Sequence, residues 1–160
     1  MIKFENLVKP SAAQWEAVIR GVRACVGNQE PSDSYATHIE DPNNLETAPY
    51  AFFIGENDLK MLKEYKNSYY IWSGMIHIYV DVTAPLYFWR EIGDRWEVRC
   101  LSKAGDNKRT LMIDYTSLSY LYEMLKNDGY CEIDIWREFC EWIEDLPYSE
   151  LITEPHKMTI

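Results

Sequence analysis

Six basic side chains fall within twenty residues of this chain: Arg90, Arg95, Arg99, Lys103, Lys108 and Arg109. Guanidinium groups grip phosphate and carboxylate oxygens through paired N–H donors, so such a group is enough to line one anion pocket. Arg90, Arg95, Arg99 and Arg109 are therefore candidate phosphate-binding residues. The same run also reads as charge compensation on an exposed strand and loop, where ion pairs contribute little. A second constellation is acidic. Glu138, Glu141 and Glu144 lie opposite or beside an apolar stripe of Trp136, Cys140 and Ile143, and are candidate partner-binding residues on a terminal helix. Other chemistry is sparse. The histidines His38, His77 and His156 are dispersed, and none has metal-ligand spacing with a cysteine or another histidine, so no metal site is expected. His38 with Glu40 and Asp41 reads as a solvated turn, and His77 as a half-buried strand residue. Gly-rich phosphate loops and a GxSxG nucleophile elbow are absent, so generic motifs assign no catalytic residue.

The net charge narrows the partners. Twenty-six acidic residues against sixteen basic give a formal charge of -10 and a pI near 4.7. A surface this acidic does not bind duplex DNA or RNA through general phosphate neutralisation. It suits a basic protein surface, including one that ordinarily holds nucleic acid, although acidity also serves plain solubility. No apolar run reaches the roughly 18 residues of a membrane span. The stretch MIKFENLVKPS has no apolar core of a secretory signal, which predicts a cytoplasmic protein. Cys25, Cys100, Cys131 and Cys140 follow no disulfide or zinc spacing and read as reduced, mostly buried thiols.

The elements that must position these groups are legible in outline. Ser11 predicts a helix to about Ala24 with Trp15, Val18, Ile19 and Val22 on one stripe, ended by Gly27. Residues 28–50, rich in Pro, Asp, Asn and Ser, read as a long polar loop. A short helix runs from Asn57 or Asp58 through Tyr65. Ile76, Ile78, Val80 and Val82 alternate with polar neighbours, the clearest strand of the chain. Thr83 is read as the cap of the following helix, with Pro85 early in it. Arg95 to Leu101 is a second strand candidate, and Ala104–Asn107 a turn. Asp114 caps a helix carrying Leu118, Leu121, Tyr122 and Leu125, and Ile133 to Ile143 forms a last helix ended at Leu146–Pro147. The length suits one compact α+β domain over residues 1–160, helix-rich with a small antiparallel or mixed sheet.

Four blocks carry a resemblance. Ala17–Arg23 (AVIRGVR), Phe53–Lys60 (FIGENDLK), Met75–Glu91 and Phe139–Leu151 (FCEWIEDLPYSEL) occur in that order. Together they resemble a group of bacterial and prophage proteins related to flavin-dependent thymidylate synthases, the ThyX family. The resemblance implies a ThyX-like fold and assembly into a homo-oligomer. In those enzymes the strand and turn lead into a helix bearing an RHR motif and then a serine-rich segment that hold flavin and a deoxyuridine nucleotide. Here Trp89–Arg95 has no histidine, and Trp96–Cys100 replaces the serine segment. Asp114 or Tyr115, and Thr116 or Ser117, stand where the enzymes place a nucleotide-gripping asparagine and arginine. A methyl-transferring flavoenzyme must hold flavin, nucleotide and folate in register, so these losses imply no catalytic residue and no flavin cofactor.

Three functional expectations follow. The first is a non-enzymatic binding protein of phage or mobile-element type, occupying a basic site on a host or defence protein as anti-CRISPR and other anti-defence proteins do. The alternative is a binder of a deoxyuridine monophosphate-like nucleotide, or a divergent flavin-dependent thymidylate synthase with FAD, working through the Arg90–Arg109 group. The third is an assembly partner of a longer ThyX-like protein. The consecutive rings of Tyr87, Phe88 and Trp89 on one short helix predict self-association, because one domain cannot bury every face of a surface helix.

Overall fold

The computed structural model describes residues 1–38, 50–66, 72–95, 99–101, 106–127, 129 and 132–154. The class is α+β, helix-rich with a small antiparallel sheet, as the periodicities predict. The chain divides into two compact units, one built from Met1–Lys9 with the residues from Ser73 onward, the other from Pro10–Trp72.

The first unit is organised by a four-stranded antiparallel sheet in the order β1-β4-β6-β5. Its strands are β1 (Lys3–Val8), β4 (His77–Thr83), β5 (Arg99–Leu101) and β6 (Lys108–Asp114). β4 has the expected alternation, with Ile78, Val80 and Val82 almost fully buried and paired with Ile113, Leu111 and Arg109 of β6. Helices α3 (Leu86–Arg95), α4 (Tyr115–Asn127), α5 (Asp134–Glu144) and α6 (Glu150–Thr153) supply the rest of the core. Phe139 of α5 sits among Phe4, Phe88 and Trp142, with ring centroids 5.8–6.1 Å apart. The indole of Trp142 stacks flat on Phe4 at 4.3 Å. Phe4 pairs with Val82, so these contacts identify the helix-covered face of the sheet. Asp114 caps α4 as expected, its Oδ1 accepting the Ser117 N–H at 2.7 Å.

Four expectations are corrected. Thr83 is not a helix cap. It is the last residue of β4, paired with Lys3 and Lys108, and α3 starts only at Leu86. The strand foreseen over Arg95–Leu101 is confined, among the described residues, to Arg99–Leu101, because α3 runs through Arg95. Phe88 and Trp89 are buried in the core and only Tyr87 of the three rings is exposed, so the rings do not surround an open helix as the sequence suggested. Cys100 and Cys25 are exposed and only Cys140 of the described thiols is buried, against the expectation of mostly buried cysteines. Cys131 lies outside the described residues.

The second unit packs α1 (Ala12–Val26) with α2 (Glu56–Glu64) and a two-stranded sheet of β2 (Tyr35–His38) and β3 (Tyr50–Phe53). α1 is as read. Ser11 Oγ accepts the Gln14 N–H at 3.1 Å, Trp15, Val18, Ile19 and Val22 are buried, and Gly27 closes the helix at φ 71°. The polar stretch 28–50 is not all loop: Tyr35–His38, rich in strand-forming types, pairs with Tyr50–Phe53, and residues 39–49 lie outside the described set. α2 has Gly55 at its cap and no side chain to do the capping. Asp33 does it from a distance, its two oxygens accepting the N–H groups of Asn57 (2.8 Å) and Asp58 (3.1 Å). A Cβ on Gly55 would lie 2.1 Å from Asp33 Cγ and 2.5 Å from its carbonyl oxygen. Gly55→Ala is therefore expected to destabilise this unit by about 1–3 kcal/mol, the usual penalty of an unrelieved overpacking. Urea denaturation measures it, and a loss below about 0.3 kcal/mol would mean the Asp33 turn yields freely.

Candidate functional site: an acidic helix face

α5 combines two stripes. Ile135, Trp136, Phe139, Cys140 and Ile143 face the core. Asp134, Glu138, Glu141 and Asp145 recur at the four- and three-residue steps that place side chains on one face of a helix. Residues 132–154 carry eight carboxylates, Glu132, Asp134, Glu138, Glu141, Glu144, Asp145, Glu150 and Glu154, against the single base Arg137. The C-terminal part of the stripe also runs against the helix dipole. Glu141, Glu144 and Asp145 stand at the C-terminal end with no base in the last turn. That end is electrically negative, and a carboxylate there costs rather than stabilises, by roughly 0.3–1 kcal/mol each.

The three glutamates singled out by the sequence sit on this helix with different duties. Glu138 accepts the Ile2 backbone N–H at 2.9 Å, tying the start of β1 to α5. Glu144 accepts the Tyr122 hydroxyl at 2.6 Å and pairs with Lys126 at 3.2 Å. The Tyr122 hydrogen bond, opposed by slight burial and helped by Lys126, holds the Glu144 carboxyl below its ordinary range. Glu141 is exposed, as are Glu132 and Asp145. Asp134 is exposed and engaged by Arg137 through a short ion pair at 2.5 Å. Asp134, Asp145 and Glu132 were not singled out by sequence; the i, i+4, i+7, i+11 spacing was the available signal.

The basic group does not converge on one pocket. Arg90 is exposed on α3. Arg109 lies on the helix-covered face of the sheet, its guanidinium 4.8 Å from the Trp89 ring centroid, with Nε 3.5 Å from the Asp106 carbonyl oxygen. Trp89 donates its own indole N–H to the Asn107 carbonyl at 2.9 Å, which fixes the ring under that cation. Arg99 pairs with Met112 and points to the opposite face. The side chain of Arg95 lies outside the described set. Pocket formation by all four arginines therefore finds no support in the described geometry.

Of the remaining candidates, His77 is half-buried and meets Tyr79 edge-on at 5.5 Å. The side chain of His38, and Glu40, Asp41 and His156, lie outside the described residues. No group of three or more His, Cys, Asp or Glu among the described residues is placed to hold a metal ion. No described helix is long and apolar enough to cross a membrane.

Sequence reasoning missed a buried polar knot in the second unit. Asp58 is fully buried on α2. Its Oδ1 accepts from Arg23 Nη1 at 2.9 Å, and its Oδ2 from Ser34 Oγ at 2.7 Å and from Ser32 Oγ at a very short distance. Ser34 Oγ in turn accepts the Gly55 N–H at 2.9 Å. A cleft of about 540 Å³ beside α1 is lined by Arg20, Arg23, Ser32, Ser34 and Phe52 among others. The hydroxyls of Ser32 and Ser34 are already committed to Asp58, so the knot reads as the strut that fixes residues 28–34 against α1 and α2.

Comparison with protein-family models, with curated proteins and with solved structures returns no match to this chain.

Proposed function

We propose that this chain is a non-enzymatic binding protein of phage or mobile-element type, built on a shortened ThyX-like scaffold. Its acidic α5 face occupies a basic, nucleic-acid-binding surface of a host or defence protein in the cytoplasm, as an anti-CRISPR or other anti-defence inhibitor does. The observation that carries this reading is the stripe of Asp134, Glu138, Glu141 and Asp145, maintained along the whole helix and into the end where the dipole disfavours it. Carboxylates kept against local stability are accounted for by a cationic partner. The match of opposite potentials speeds encounter and selects the partner, while nucleic acid is repelled.

This reading includes no bound flavin. The segment that the resemblance equates with the flavin-holding helix buries Trp89 and Ile92 and exposes Arg90 and Glu91, and it offers no histidine. Arg109 lies over Trp89. The purified protein is therefore expected to be colourless, and to release no tritium from labelled deoxyuridine monophosphate when flavin and reductant are supplied. A flavin absorbance that survives gel filtration, or tritium release above the protein-free control, contradicts the non-enzymatic reading. The binding reading itself is tested by charge reversal on α5, argued in the Discussion.

A further inference from the structure

The four-stranded sheet has a second face on which no described helix of this unit packs. Strand register sets its side chains in rows. One row is Val8, Tyr79, Met112 and Arg99; the next is Glu5, Asp81, Thr110 and Leu101; a third is Lys3, Thr83 and Lys108; His77 and Asp114 complete the other end. Val8 is 55% exposed, Tyr79 41% and Leu101 79%, and a shallow depression of about 210 Å³ opens between Tyr79, Arg99, Leu101 and Met112. A protein surface seldom gathers exposed apolar side chains on one sheet face without a partner for them.

Charge identifies which partner. In a protein of net charge -10, this face carries Lys3, Arg99 and Lys108 against Glu5, Asp81 and Asp114 and is locally neutral. Its central carboxylate is already satisfied: Asp81 accepts from Asn6 Nδ2 at 2.9 Å and from Thr110 Oγ1 at 2.7 Å. A cationic partner has no reason to choose this face over α5, whereas two copies of the acidic chain can meet here without repulsion.

We propose that this open sheet face packs against the same face of a second copy, around a two-fold axis running along the strands between β4 and β6. That axis lays each β1 over the β5 of the partner subunit and each β4 over its β6. Tyr79 then meets Met112 of the partner subunit, a favourable sulfur–aromatic contact. Asp81 meets Thr110 of the partner subunit, His77 meets Asp114 of the partner subunit, and Glu5 meets Leu101 of the partner subunit with Arg99 of the partner subunit one row away. No carboxylate faces a carboxylate. The aligned packing is the ordinary one for two sheets, about 10 Å apart and rotated by roughly 30°. Four strands span only about 15 Å, and six or seven residues about 20 Å. This footprint is smaller than the roughly 800 Å² per partner of standard-size complexes, so the dimer is a weak, reversible one.

Sedimentation velocity on the full chain, from about 5 to about 200 µM, tests this. The wild type is expected to pass from monomer to dimer over that range, with little change on raising salt. Tyr79→Lys is expected to stay monomeric throughout with an unchanged circular dichroism spectrum. Leu101→Glu, which meets Glu5 of the partner subunit, is expected to weaken the dimer at least about tenfold, and Leu101→Lys to stay within about threefold of wild type. If Tyr79→Lys fails to fold, the two substitutions at the exposed Leu101 decide alone. A wild type that is monomeric at the highest concentration overturns the proposal. So does a dimer indifferent to Tyr79→Lys and Leu101→Glu, or a monomer in which those substitutions release a captured heterologous protein instead.

Discussion

Asp58→Ala is expected to unfold the second unit's polar knot and to cost about 3–5 kcal/mol, the penalty for leaving one half of a buried ion pair behind. The side chain of Arg23 is 11% exposed and that of Asp58 0%, so the lost carboxylate leaves a largely desolvated cation behind. Arg23 Nη2 is already buried with no partner among the described residues, which raises the stakes on Nη1. Loss of Asp58 also releases Ser32 and Ser34, and with Ser34 the bond to the Gly55 N–H at the start of α2. Urea denaturation measures the loss. Arg23→Met combined with Asp58→Leu is expected to cost less than the two single changes added together, because the pair shares one desolvation penalty. A loss below about 1 kcal/mol for Asp58→Ala would mean the pair is solvated after all.

The same group sets a pH dependence. Burial by itself raises the Asp58 carboxyl, but hydrogen bonds from Ser32, Ser34 and Arg23, with the Arg23 charge, outweigh it and hold the group below its ordinary range. A carboxyl depressed in the folded state contributes stability that is present above its unfolded value, about pH 4, and is lost as pH falls through the folded value. Wild-type melting temperature is therefore expected to drop on acidification below about pH 4, and Asp58→Asn to flatten that drop.

Much of this framework was legible in the sequence, and the exceptions have identifiable physical causes. α1, β4, α4 and α5 announce themselves through strong caps and clean periods, Ser11 and Asp114 at the starts and Gly27 at an end. β1 is hidden by its own irregularity. Asn6 adopts φ 53°, the register shifts between Glu5 and Val8, and the two-residue alternation of Phe4 is broken within the strand. β6 is hidden by Arg109, a charged residue on an inward position, where the Trp89 ring lies beneath it and the Asp106 carbonyl accepts from it. The Arg23–Asp58 pair spans 35 positions and involves two helices, so no local pattern could join them. On α5 the acidic character was legible through Glu138, Glu141 and Glu144, but not the division of labour among them. That Glu138 holds the start of β1 and Glu144 holds Tyr122 are facts of tertiary packing.

That division decides how the acidic face is best probed. Reversal at Glu138 or Glu144 disturbs internal bonds along with the surface, whereas Glu141 and Asp145 are exposed and one helical turn apart. Both stand at the negative end of α5. Glu141→Lys with Asp145→Lys is therefore expected to leave the fold as stable as wild type, or more stable by up to about 1 kcal/mol, since cations suit a helix C-terminus. The same double change is expected to weaken binding to a basic partner by at least about a hundredfold, through lost steering and direct repulsion. A stability gain with a binding loss is the signature of residues kept for recognition.

The most direct measurement is a side-by-side pull-down from phage-infected bacterial lysate, using the wild type and the Glu141→Lys, Asp145→Lys variant as baits. At about 0.05 M salt the wild type is expected to retain a basic nucleic-acid-binding protein and to release it on adding that protein's nucleic acid or raising salt to about 0.5 M, where attraction is screened within a few ångströms. The variant retains none of it. Equal retention by both baits, or release that nucleic acid and salt leave unchanged, would contradict the acidic face as the working surface.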